Sequence, residues 1–179
     1  MRLFILLALF VFTAPLDAQA KEITKAMADQ YYNSCLSKPT SQPMSKENKD
    51  YLCACTAVQM METMTTDRIA AMRGVGPSVR EAFHYMLVNV YAPCMEYPAK
   101  DHYYNTCISN PKTATLGQDP AQLCGCMADK VAAHLGQNGK QLFEEILARN
   151  PNAQDPMSLL ESDPQFQSYV GQQVLGCVL

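Results

Sequence analysis

Tyr31-Tyr32-Asn33-Ser34-Cys35 returns further along the chain as Tyr103-Tyr104-Asn105-Thr106-Cys107, and Cys53-Ala54-Cys55 returns as Cys124-Gly125-Cys126. The first copy reads C-x17-C-x-C-x38-C and ends at Cys94; the second reads C-x16-C-x-C-x50-C and ends at Cys177. Self-similarity at matched spacing is the signature of a duplicated structural unit. The chain is therefore expected to hold two four-cysteine units, residues 21–97 and 98–179, with the boundary near Tyr97-Pro98. An insertion in the second unit accounts for most of the difference in length.

Helical periodicity supports that alignment. Cys53, Ala57, Met60 and Met64 share one helix face, and Cys124, Ala128, Val131 and Leu135 occupy the same steps in the second copy. In the first copy Tyr51, Cys55 and Val58 make a second apolar side, and Thr56, Gln59 and Thr63 a narrow polar stripe, which is the pattern of a middle helix. Towards the end of each unit, Phe83, Leu87, Val90 and Cys94 share a face, and Phe166, Val170, Gln173 and Cys177 are their counterparts. Ser78 and Glu81 have capping-box spacing, while Asp119-Pro120, Asp155-Pro156 and Asp163-Pro164 each join an N-cap acid to a proline suited to the first helical position. In the insertion, Gln141 to Arg149 reads as helix and Asn150-Pro151-Asn152 as a turn. Strand signals are nearly absent. The expected fold class is all-α, two tandem disulfide-stapled helical units of about three main helices each.

Residues 1–20 have a basic start at Arg2, an apolar run from Leu3 to Phe12 and a small-residue cleavage site at Ala18-Gln19-Ala20, the three parts of a secretory signal peptide. The run is shorter than the ~20 residues a membrane-spanning helix needs, so no transmembrane anchor is expected after cleavage. A periplasmic or secreted location follows. Oxidising compartments convert even sets of cysteines into disulfides, and Cys35, Cys53, Cys55, Cys94, Cys107, Cys124, Cys126 and Cys177 make four pairs.

Residues i and i+2 of a helix point about 200° apart. Cys53 and Cys55 therefore face different neighbours, one pairing with Cys35 and the other with Cys94, and Cys107, Cys124, Cys126 and Cys177 repeat the scheme. The spacing leaves open which sulfur takes which partner. Units this small have marginal cores, so each bridge is expected to matter for stability.

Several functions can be weighed on the same residues. A formal net charge of −3 with no basic patch argues against a nucleic-acid partner. C-x-C is a redox spacing in some exchange enzymes, yet here each pair has two further cysteines to staple it. Eleven methionines, with Met60, Met61 and Met64 close on one helix, suggest Cu(I). Val131 and Leu135 replace Met60 and Met64 in the second copy, however, and cannot bind metal, which favours core packing. His84, His102 and His134 have no metal-ligand spacing and no counterparts between copies, no haem-attachment sequence is present, and no motif singles out a catalytic serine or an acid-base pair. Gly74-Val75-Gly76-Pro77 reads as a hinge-like turn too short for a phosphate loop. Tyr31, Tyr32, Tyr103 and Tyr104 read as rings packed over a disulfide core with hydroxyls reaching the surface, in preference to paired contact patches.

Two helical secreted families with disulfide frameworks fit poorly: plant lipid-transfer proteins need a Cys-Cys doublet, and insect odorant-binding proteins space their paired cysteines by three residues. The cysteine about 17 residues ahead of a C-x-C resembles small bacterial exported proteins, over about 20 residues in each unit. That resemblance implies a periplasmic or secreted helical module and no particular activity. The expected function is that of a binding or structural module contacting another protein or an envelope component, with no enzyme activity and no cofactor. A carrier of a small apolar ligand is the first alternative, and a thiol-redox or copper-handling protein the second.

Overall fold

A computed structural model describes residues 21–40, 43–116, 119–153 and 155–178; the expected signal peptide lies outside the described residues. Eight α-helices follow one another among the described residues: α1 Lys25–Ser37, α2 Lys46–Thr63, α3 Thr66–Ala71, α4 Pro77–Met86, α5 Glu96–Ile108, α6 Pro120–Arg149, α7 Pro156–Ser162 and α8 Pro164–Val178. The only strand-like feature described is a lone bridge between Glu22 and Thr65. None of the described helices is long and apolar enough to cross a membrane.

Local chemistry sets the helix starts. Ser45 accepts a hydrogen bond from the Asn48 amide at 3.1 Å, Asp119 from Ala121 at 3.1 Å and Asp155 from Ser158 at 3.1 Å, satisfying amides that the first turn leaves without helical partners. Asp163 accepts from both Gln165 and Phe166 at the start of α8. The proposed Ser78–Glu81 capping box does not form. Gly76 is the N-cap of α4, with φ of 95°, and no side chain caps the helix. Pro77 is the reason: its ring fixes the first helical φ and it has no amide to satisfy, so the helix starts ahead of Ser78.

The middle helices α2 and α6 bury the expected face. Cys53, Ala57, Met60 and Met64 are buried, as are Cys124, Ala128, Val131 and Leu135. The second apolar side assigned to α2 is a correction: Tyr51 and Val58 are exposed, and Tyr51 stacks on Tyr97 with ring centroids 5.3 Å apart. Thr56, placed in the polar stripe, is fully buried. Its hydroxyl donates to the Leu52 carbonyl at 2.7 Å, which satisfies it inside the helix and removes the cost of burial.

Two further expectations change. Gln141 to Arg149, read as a helix belonging to the insertion, is the end of the middle helix itself: α6 runs unbroken for 30 residues to Arg149 before the expected turn. The closing helix of the first copy is not one regular helix, because α4 passes into a π-helical turn at Leu87–Tyr91 and a 3-10 turn at Ala92–Cys94. A π turn closes i to i+5 bonds and shifts the angular register. Val90 and Cys94 thus reach the core while Phe83, expected on the same face, is 53% exposed.

The cysteines pair as Cys35–Cys53, Cys55–Cys94, Cys107–Cys124 and Cys126–Cys177, with Cα atoms 5.5–6.0 Å apart. In both C-x-C segments the first sulfur reaches back along the chain and the second reaches forward, which resolves the choice that spacing left open. The larger core gathers Met127, Val131, Leu135 and Phe143 of α6 with Ala99 and Tyr103 of α5 and Val88, Ala92 and Met95 ahead of it. It therefore draws on residues from both sides of Tyr97-Pro98. A smaller core joins Ile23, Met60, Met64 and Val90, with Met27, Met72 and Met86 packed against it.

Candidate functional site

The residues first considered for chemistry are dispersed. His84 Nε2 lies 3.1 Å from the Ala153 carbonyl, His102 Nε2 lies 3.1 Å from Glu161, and the His134 ring stacks on Tyr169 with centroids 4.0 Å apart. Among the described residues no group of three or more His, Cys, Asp or Glu side chains is placed to hold a metal ion. Met60 and Met64 are in the smaller core and Met95 is buried in the larger one, while Met61 is 41% exposed. All eight sulfurs are in disulfides, so no thiol is free.

The tyrosines beside the first cysteine of each copy do different work. Tyr31 donates to the Tyr91 hydroxyl at 2.9 Å, and Tyr32 donates to Asp50. Burial, followed by the Tyr31 contact, pushes the Tyr91 hydroxyl well above its usual range. Tyr103 is buried with its ring edge towards Phe166, and burial first, then the Glu161 charge, raises its hydroxyl likewise. Both phenols are neutral under ordinary conditions and serve packing.

What the structure does assemble is an apolar groove of about 810 Å³ along α4. Met72 and Val75 form one end, Val79 and Phe83 run along the helix, and Ala153 and Pro156 close the far wall. The groove exists because Gly76 turns the chain sharply into α4, leaving Val75 at 93% exposure, and because the π turn rotates Phe83 away from the core. His84 holds the far wall through its contact with the Ala153 carbonyl. Arg80 is the fixed charge on the lining, which contains no carboxylate.

The groove is lined mainly by apolar side chains, two of which, Val75 and Phe83, are exposed, and its volume is that of an ordinary concave contact site. The sequence reading missed it by assigning Phe83 to the core and treating Val75 as a hinge residue. One signal was available: Val75 is an apolar residue inside a Gly-x-Gly-Pro turn, where no periodic partner covers it.

Fold and groove together define a small, disulfide-stapled, all-α protein with an open apolar groove along α4. No family model matches the chain, and neither the curated proteins nor the solved structures contain a match to it.

Proposed function

We propose that the chain is an exported binding module, periplasmic or secreted, that docks an apolar helical segment of a partner protein in the groove along α4. In this reading it has no catalytic task, and its relatives are small bacterial exported helical proteins. Four disulfides support an oxidising compartment. The observation that carries the docking reading is Phe83, a large aromatic side chain 53% exposed on the wall of the apolar groove along α4. Aromatic anchors in such settings dominate binding energy.

Charge selects the occupant. With Arg80 on the lining and no acid opposing it, the groove favours a segment carrying a carboxylate beside its apolar face. Its open, elongated shape suits a helix presenting residues i, i+3, i+4 and i+7. Met72 and Met86 on the lining supply the adaptable packing common at such grooves.

The test is titration with two designed helical peptides that share leucines at those positions and differ only in one flanking Glu or Lys. The Glu peptide is expected to bind about tenfold tighter, and Phe83→Ser to abolish binding of both. Equal binding of the two peptides, or binding untouched by Phe83→Ser, overturns the reading. A concentration-dependent dimer that Phe83→Ser dissolves also overturns it, because the occupant is then a second copy.

A further inference from the structure

A second cavity, of about 510 Å³, lies between α5, α7 and the segment leading into α2. Its lining shares no residue with the α4 groove. Met44 and Leu52 form one wall, Met157 the other, and the floor is Met95 and Leu135 of the buried core. The wall ahead of α2 is fixed in place: the Ser45 amide donates to Asp101 at 2.7 Å, and Asn105 Nδ2 donates to the Pro43 carbonyl at 3.4 Å. Its volume is within the range of small-molecule sites, roughly 300–1,000 Å³.

The polar groups of this cavity are one-sided. Glu161 and Asp155 are on the lining, and no Lys or Arg is. Asp155 is engaged in capping α7 through the Ser158 amide. Glu161 is paired with His102 at 3.1 Å on the same lining, and its charge is felt at the buried Tyr103 hydroxyl. An apolar chamber whose edge carries the Glu161 carboxylate, with the His102 imidazole on one of its two oxygens, matches a ligand with an apolar body and a cationic end.

We propose that this cavity is a binding site for a small amphiphilic amine, its alkyl body resting on Met44, Leu52, Met95 and Met157 and its ammonium donating to Glu161. A carboxylate ligand is disfavoured because it meets Glu161 and Asp155 as like charges, with His102 as the sole balancing group. A neutral alcohol gains the apolar contact without the charge-assisted hydrogen bond, which is the stronger kind.

Calorimetric titration of the intact, oxidised protein with decylammonium, decanol and decanoate, each kept below its aggregation limit, tests the site. Decylammonium is expected to bind one per chain and about tenfold tighter than decanol, with decanoate weakest. Glu161→Gln should bring decylammonium to the level of decanol and leave decanol unchanged. Phe83→Ser, in the separate groove, should alter none of the three, so that this site and the peptide groove succeed or fail independently. The proposal is overturned by the absence of saturable decylammonium binding, by decanoate binding as tightly as the amine, by a preference that survives Glu161→Gln, or by loss of amine binding in Phe83→Ser. Thermal melting of each variant confirms that folded proteins are being compared.

Discussion

Gly139 in α6 packs its bare Cα against the carbonyl of Ala92: a Cβ built at residue 139 would stand 2.8 Å from that oxygen. The contact lets the long helix cross the 3-10 turn that carries Cys94, so the Cys55–Cys94 bridge and the main core meet at this point.

Gly139→Ala should therefore destabilise the protein by about 1–3 kcal/mol, because the obstructing atom is backbone and cannot rotate away. Gly171 in α8 has nothing within 4 Å of the same construction. Gly171→Ala should stabilise by about 0.5–1 kcal/mol through helix propensity alone. Urea unfolding of the two variants with disulfides intact measures both. A stabilised Gly139→Ala would mean that the crossing has slack.

The disulfides differ in the length of chain they close. Cys126–Cys177 spans 51 residues and Cys107–Cys124 spans 17. On loop entropy, replacing both cysteines of a pair with alanine should cost about 4 kcal/mol for the longer loop and about 3 kcal/mol for the shorter. Full reduction should lower the melting temperature steeply. The order of the two double variants in denaturant is the readout, and a reduced protein that melts like the oxidised one contradicts the stapled architecture.

How far the fold was legible follows from which forces were local. Apolar period identified the buried faces of α2 and α6, since Cys53, Met60, Cys124 and Val131 sit where a single helix repeat puts them. Asp-Pro pairs located three helix starts because cap and proline act within one turn. Phe83 was misplaced because the π turn after Met86 is a tertiary accommodation with no composition signal, and extrapolating a 3.6 period through it carries the residue to the wrong side. The amine cavity was illegible for another reason: Leu52, Met95, Leu135 and Met157 come from four separate stretches of chain, and each reads alone as ordinary core.

Arg149 Nη2 lies 2.8 Å from Asp163, joining the end of α6 to the start of α8. The guanidinium first, then the Phe166 amide, holds the Asp163 carboxyl below its usual range. A depressed carboxylate contributes stability that is present above its unfolded value and lost as pH falls through the folded one. Asp163→Asn keeps a capping oxygen and removes the charge. Acid melts below about pH 4 should thus be shallower in Asp163→Asn than in the parent. Parallel acid limbs would show that the ion pair contributes nothing.

At milder acidity the sensitive group is His134. Its ring lies 4.0 Å from that of Tyr169, and its Nδ1 lies 3.1 Å from Asn138 Nδ2, in a geometry that requires neutral imidazole to accept. Glu145 and Asp163 line the same small cavity and would favour a charged ring, and Arg149 opposes them. Burial prevails and holds His134 below its ordinary value of 6.5. Between the folded and unfolded values the unfolded chain binds more protons, so stability rises with pH through that window and falls as the medium is acidified. Protonation also turns Nδ1 from acceptor to donor and breaks the Asn138 contact. His134→Gln should flatten the decline in melting temperature just below pH 6.5 while leaving the Asp163 limb at lower pH in place. Because the two windows are separate, a His134→Gln profile superimposable on the parent between pH 5 and 7 would assign the mild-acid response to another group.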